Sequence, residues 1–215
     1  MGNDVVTIIG DSYFEPICTL LERLEDFHEH EKSGVRSGFF VNGFAVSICL
    51  LAVACLESYV MRVRFVNKSS QKDIDKVPVV KYLPKLYRDF PYIDDLYEIY
   101  ILRDIIIHNH LWELGVTWND GEMELVKANK KSSGDKKYSD YVDVDKRRTN
   151  KLGLTVNPIK VGKSEVSEVL KTIWKILIFL EKKDRNQCYV SAAHYKYKGG
   201  MTQFGEIVGM SETCT

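Results

Sequence analysis

The chain has 215 residues, 45% of them apolar and 28% charged, which is globular stock and excludes a disordered polymer. Thirty basic residues balance thirty acidic ones, so the protein is not a polybasic coat for nucleic acid; a local basic cleft remains open. The five cysteines, Cys18, Cys49, Cys55, Cys188 and Cys214, form no CxxC pair, and together with an N-terminus lacking a basic n-region they point to a reducing cytoplasm.

Residues 1–10 read as a short strand or arm. A helix is expected from Asp11 or Ser12, with Pro16 in its first turn and Leu20, Leu21, Leu24 and Phe27 on its buried stripe. Its other face is acidic, with seven carboxylates against one arginine between Asp11 and Glu31, and Ser33-Gly34 ends it. A second helix is predicted from Phe39 to Phe65. It is apolar nearly all round, and its uncharged stretch Gly43–Leu56 is fourteen residues long. A membrane span needs about 20 apolar residues, so this reads as the central helix of a core and not as a membrane segment.

Asn67–Val77 reads as a polar loop, and Pro78 and Pro84 bracket a short helical piece. From Tyr92 to Leu114 the apolar residues Leu96, Ile99, Leu102, Ile106 and Leu111 recur at helical spacing, with Gly115 as the stop. Composition shifts over 116–161. Here lie the turn signal Asn119-Asp120-Gly121, strand-like runs at Met123–Val126 and Leu152–Val156, and a stretch Lys127–Lys151 with nine basic and four acidic residues. The segment reads as a small β insertion with a charged, mobile loop. A last helix is predicted from Ser164 to Lys183, and the tail beyond it has no assignment. The fold class expected is mainly all-α: an up-and-down bundle of four to five helices in one domain, with a β insertion before the last long helix.

No phosphate-binding glycine loop, dinucleotide fingerprint, HExxH or GxSxG occurs. The unusual run is Leu102-Arg103-Asp104-Ile105-Ile106-Ile107-His108-Asn109-His110-Leu111-Trp112, where an apolar helix is interrupted by Arg, Asp, His, Asn and His. Arg and Asp are rarely buried unpaired, so the set is expensive without a use. Asp104 and His108 are i,i+4 neighbours, and a carboxylate there would hold the imidazole in one tautomer. Arg103 offers a rigid fork for phosphate. An arginine and a histidine beside a cleft suit acid–base cleavage of a phosphodiester. A plain ion-paired helix edge is the competing reading. A second Arg-x4-His match, Arg23 to His28, lies on the acidic helix, whose field repels phosphate. His28-x-His30 and His108-x-His110 cannot share one metal ion, since i and i+2 point about 200° apart on a helix. Trp112, Trp118, Tyr195 and Tyr197 are aromatic candidates for base stacking, though such residues are more often core or rim.

Arg103-Asp104, three apolar residues and His108, late in a helical domain behind an apolar central helix, resemble the HEPN superfamily with its Arg-x4–6-His motif. The resemblance implies a metal-independent ribonuclease without a cofactor. Two protomers would line one cleft, in a toxin or anti-phage (abortive infection) setting. It implies Arg103, His108 and Asp104 as catalytic residues and Asn109 and His110 as substrate-binding ones. The partners implied are RNA, with transfer RNA the family-level guess, a second copy, and an antitoxin or defence-system protein. Members of this family paired with a nucleotidyltransferase antitoxin carry Tyr two positions after the His. Here His110 stands there, which sets regulation by tyrosine modification aside. The alternative is a non-catalytic HEPN-like module that binds RNA or protein within a defence complex.

Overall fold

The structure is a computed structural model that describes residues 9–27, 36–108, 112–130, 136–183 and 190–210. Among them are eight α-helices and three two-stranded antiparallel sheets, so the fold is mainly α-helical. The chain divides, over its described residues, into two compact units. One comprises Met1–Thr19, Leu51–Ile93 and Leu170–Thr215, the other Leu20–Leu50 and Asp94–Val169.

A 3-10 turn, Gly10–Tyr13, leads into α1, Phe14–Glu25, with Pro16 in its first turn as expected. The predicted Ser33-Gly34 stop lies outside the described residues. α2 spans Phe39–Val66. By length and composition it is the one described helix apolar enough to cross a membrane, with 44% of its most apolar window buried. The inward positions Ala45, Ile48, Ala52, Leu56, Val60 and Val63 are all buried, the three-and-four spacing of a core helix. It stops where Lys68 turns left-handed (φ 51). Ser69 N–H then reaches Arg64 O at 3.0 Å and Lys68 N–H reaches Phe65 O at 2.9 Å, the paired bonds of a Schellman cap.

In the first unit the expected polar loop after α2 contains a helix, α3, Gln71–Lys76. Ser70 caps it by accepting from Asp73 N–H at 3.2 Å. The buried Arg64 closes its other end, donating to Ile74 O (2.8 Å) and Val77 O (2.6 Å) over the Tyr82 ring. α4 is Val79–Leu86; Pro78 precedes it as expected, but Pro84 lies inside the helix and does not bound it. The unassigned tail is ordered over 190–210: a hairpin of β5, His194–Tyr197, and β6, Gly200–Gln203, then α8, Phe204–Ile207. Its Lys198-Gly199 turn takes two positive φ angles (48 and 81), the geometry that suits the twist of a tight hairpin. Tyr195 and Phe204 pack on Phe14 with ring centroids 4.8 and 4.6 Å away, and Tyr195 OH donates to Asp11 Oδ1 at 2.6 Å.

The second unit is built on α5, Ile93–Ile107. This helix is shorter than predicted. A strand, β1 (Trp112–Asn119), begins where the helix was expected to continue. Trp112, Leu114, Val116 and Trp118 recur every second residue, and that period prevails. β1 pairs with β2, Glu122–Lys130, through the Asp120-Gly121 turn, with a bulge at Gly115/Val116. Gly115 is therefore a bulge and not a helix stop; a Cβ there would meet Lys127 Cβ at 3.2 Å. The basic stretch carries α6, Lys136–Tyr141, and the short pair β3 (Val142–Asp143) and β4 (Arg148–Thr149). The predicted strand at Leu152–Val156 is only a single bridge, Thr155 to Arg148. α7, Lys163–Lys183, is the predicted last long helix.

Candidate functional site

The site is framed by how α5 is anchored. Ile101 and Ile105 enter an apolar cluster with Val142 and Val156, against which Trp112, Tyr138 and Tyr141 pack. Burial pushes the Tyr138 phenol up to about 12, so it stays neutral. Trp112 Nε1 donates to Val156 O at 3.1 Å. Earlier in the helix, the buried Glu98 accepts from the backbone N–H groups of Lys151 and Leu152, both at 2.7 Å. Lys151 Nζ also lies 2.9 Å from Asp95 Oδ1, a contact that raises the pKa of the lysine. Tyr97 stacks on Tyr141 at 4.9 Å. This helix therefore holds the insertion by charge, stacking and apolar burial together.

At the open end of that helix stands Arg103. Its Nε donates to Asp104 Oδ1 at 2.8 Å and its Nη2 lies 2.7 Å from the same oxygen. The guanidinium lies over the Tyr100 ring, 4.6 Å from the centroid. The side chains of Arg103 and Asp104 are 29% and 32% exposed, so the pair is wet and not sealed. His108 is exposed and closes the helix, its N–H reaching Asp104 O at 2.9 Å. The expectation that Asp104 orients the imidazole is corrected here. Among the described residues its carboxylate makes no bond to His108 and is turned to Arg103 instead. The adjacent guanidinium outcompetes an imidazole that faces solvent. Asn109 and His110 lie outside the described residues.

Of the aromatic candidates, Tyr195 is buried, and burial with its bond to Asp11 raises its pKa strongly. Trp118 is 69% exposed on the hairpin. Burial, with Glu165 adding to it, pushes the Cys49 thiol far up, so it packs as an inert hydrophobe. Among the described residues no cluster of three His, Cys, Asp or Glu could hold a metal ion.

Two structural groups escaped the sequence reading. Glu165, buried, accepts from Gly162 N–H at 3.0 Å and Thr155 N–H at 3.3 Å. Asn42 donates to Pro158 O at 2.8 Å and Val161 O at 3.0 Å. Asn42 was marked only as a polar residue within an apolar stretch, and Glu165, among Lys163, Ser164 and Glu168, carried no such mark. Comparison of the chain with protein-family models, curated proteins and solved structures finds no match.

Proposed function

We propose that the protein is an RNA endonuclease of HEPN type that cuts by side-chain acid–base chemistry. The observation that carries this reading is a partly exposed guanidinium, held by Asp104 and Tyr100, little more than a turn before an exposed imidazole at the end of α5. The ribose 2′-OH attacks the neighbouring phosphorus and the bond to O5′ breaks. His108 takes the 2′-OH proton or delivers one to O5′, and Arg103 neutralises the charge gathering on the phosphoryl oxygens. The products are a 2′,3′-cyclic phosphate and a 5′-OH. Around a helix, five residues separate side chains by about 140°. One copy is therefore a poor complete site, and the reading includes a homodimer in which two motif helices share a groove. A toxin or anti-phage effector acting in the cytoplasm is the setting that the HEPN resemblance suggests.

The test is cleavage of RNA in EDTA by wild type, Arg103→Ala and His108→Ala. Each substitution is expected to lower the rate by about 10²–10⁴-fold. Full activity in either variant contradicts the assignment. RNA with a single 2′-deoxy residue at the cut site should resist. The second reading, a non-catalytic module that binds RNA or protein, is favoured by one observation: Arg103 commits Nε and Nη2 to its own neighbour. Binding of RNA without cleavage by wild type would support it.

A further inference from the structure

β1 and β2 form a two-stranded ribbon. Such a ribbon is marginal by itself, and three or more strands with an apolar face are the stable unit. The register sets Val116 opposite Leu125 and Trp118 opposite Met123, so these four side chains share one face. Thr117 and Glu124 lie on the other, where Asn119 Nδ2 donates to Glu124 Oε2 at 2.9 Å. At the base Trp112 and Leu114 are half-buried, but farther out Val116 is 37% exposed and Trp118 69%. The apolar face thus outruns its cover.

The two edges of the ribbon differ. β2 is guarded: Val126 is an extra residue at the bulge, and Glu124 and Lys127 are exposed along the strand. β1 runs from Leu114 to Asn119 without a charge or a proline, and the extra residue is not on it. Among the described residues no strand pairs with its outer edge. Asp120 and Gly121 both take positive φ (50 and 82), the mark of a type I′ turn. Asn119 and Glu122 beside that turn are a hydrogen-bonded pair, and bonding alternates along an antiparallel strand. The N–H and C=O of Trp118 and Val116 are therefore aimed outward, an open template for another strand.

We propose that this edge pairs with β1 of a second copy of the chain, antiparallel about a two-fold axis at Thr117. Trp118 then lies across from the partner's Val116, and Val116 from the partner's Trp118, two aromatic–β-branched pairs on the apolar face. The two threonines meet on the polar face, and Glu113 falls beyond the paired span. Charge selects this occupant. An uncharged edge laid on its own copy brings no like charges together, and it offers an acidic or basic segment no counter-charge. Pairing uses both β1 edges and leaves the guarded β2 strands outermost, so growth stops at a four-stranded sheet. Antiparallel pairing sets the two α5 ends at opposite ends of that sheet. The contact is thus separate from the shared groove of the proposed nuclease and does not rest on it.

Disulfide trapping in the purified full-length chain tests the contact and its register. Residues directly opposite in an antiparallel pair have Cα atoms about 4.5–5.5 Å apart, within disulfide range. Under diamide the Thr117→Cys variant is expected to run largely as a linked dimer on a non-reducing gel. Wild type gives the background, and Cys18, Cys49 and Cys55 are buried. Val126→Cys, exposed on the guarded strand, should stay near that background. Val116→Lys added to Thr117→Cys puts charge on the edge and should cut the linked fraction at least fivefold. Thermal unfolding checks that each variant is folded. Two results overturn the proposal: Thr117→Cys linking no more than Val126→Cys, as it would if the edge served a strand of another protein, or linking that Val116→Lys leaves unchanged.

Discussion

Arg103 presents its guanidinium over Tyr100 with Nε and Nη2 directed to one carboxylate oxygen. A side chain with about 2 kcal/mol of rotamer entropy is thereby held before any substrate arrives. On the proposed reading, Asp104 is a positioning residue for the arginine. Asp104→Ala should lower kcat about tenfold or more with little change in KM, because a misplaced cation costs most in the transition state. Asp104→Asn keeps an oxygen acceptor and should retain most of kcat. Steady-state kinetics on RNA checks this; a variant that loses only melting temperature shows the pair to be structural. The polar cluster itself was visible as an anomaly in an apolar helix. The carboxylate's choice of partner was not, since helical spacing allows Asp104 to face His108 and only the placed atoms show which contact wins.

α5 works as a beam because side chains along it are committed to the insertion. Glu98 is the clearest case, a buried carboxylate taking two backbone N–H groups from Lys151 and Leu152. Glu98→Gln preserves shape but turns one acceptor into a donor facing a donor. It should cost about 1–3 kcal/mol, read as a lower urea midpoint at unchanged slope. An unchanged midpoint would show that the loop is held by the apolar cluster alone. α2, α4 and α7 were readable from apolar spacing and proline placement, since long periodic segments carry their own signal. The end of α5 was not, because Leu111 and Leu114 fit the helical period while Trp112, Leu114 and Val116 also fit a strand, and three residues cannot decide between them. α3 has six residues and no buried one, so it left no stripe to find. The β5–β6 hairpin hid because its turn, Lys198-Gly199, lacks the usual Asn-Gly or Asp-Gly pair.

In the molecule as a whole, surface charge contributes a definite response to acid. Hydrogen bonds from Lys85, Lys183 and Lys146 hold the carboxyls of Asp73, Asp89 and Asp143 below the usual carboxylate range. A carboxyl depressed in the folded state stabilises it above the unfolded pKa, and that contribution is lost as pH falls through the folded value. Stability should therefore hold from neutrality to about pH 5 and decline below about pH 4, less steeply in high salt, which screens such exposed pairs. Urea titration at several pH values checks it, and stability rising towards pH 3 would be the wrong sign. The proposed shared groove requires a dimer in solution; light scattering that shows only monomer at assay concentration counts against it. Most direct is end-group analysis of RNA cut in EDTA by wild type and by His108→Ala. We expect 2′,3′-cyclic phosphate and 5′-OH ends from wild type and almost none from the variant; 3′-OH and 5′-phosphate ends, or equal cutting by both, would contradict an imidazole acting on the 2′-OH.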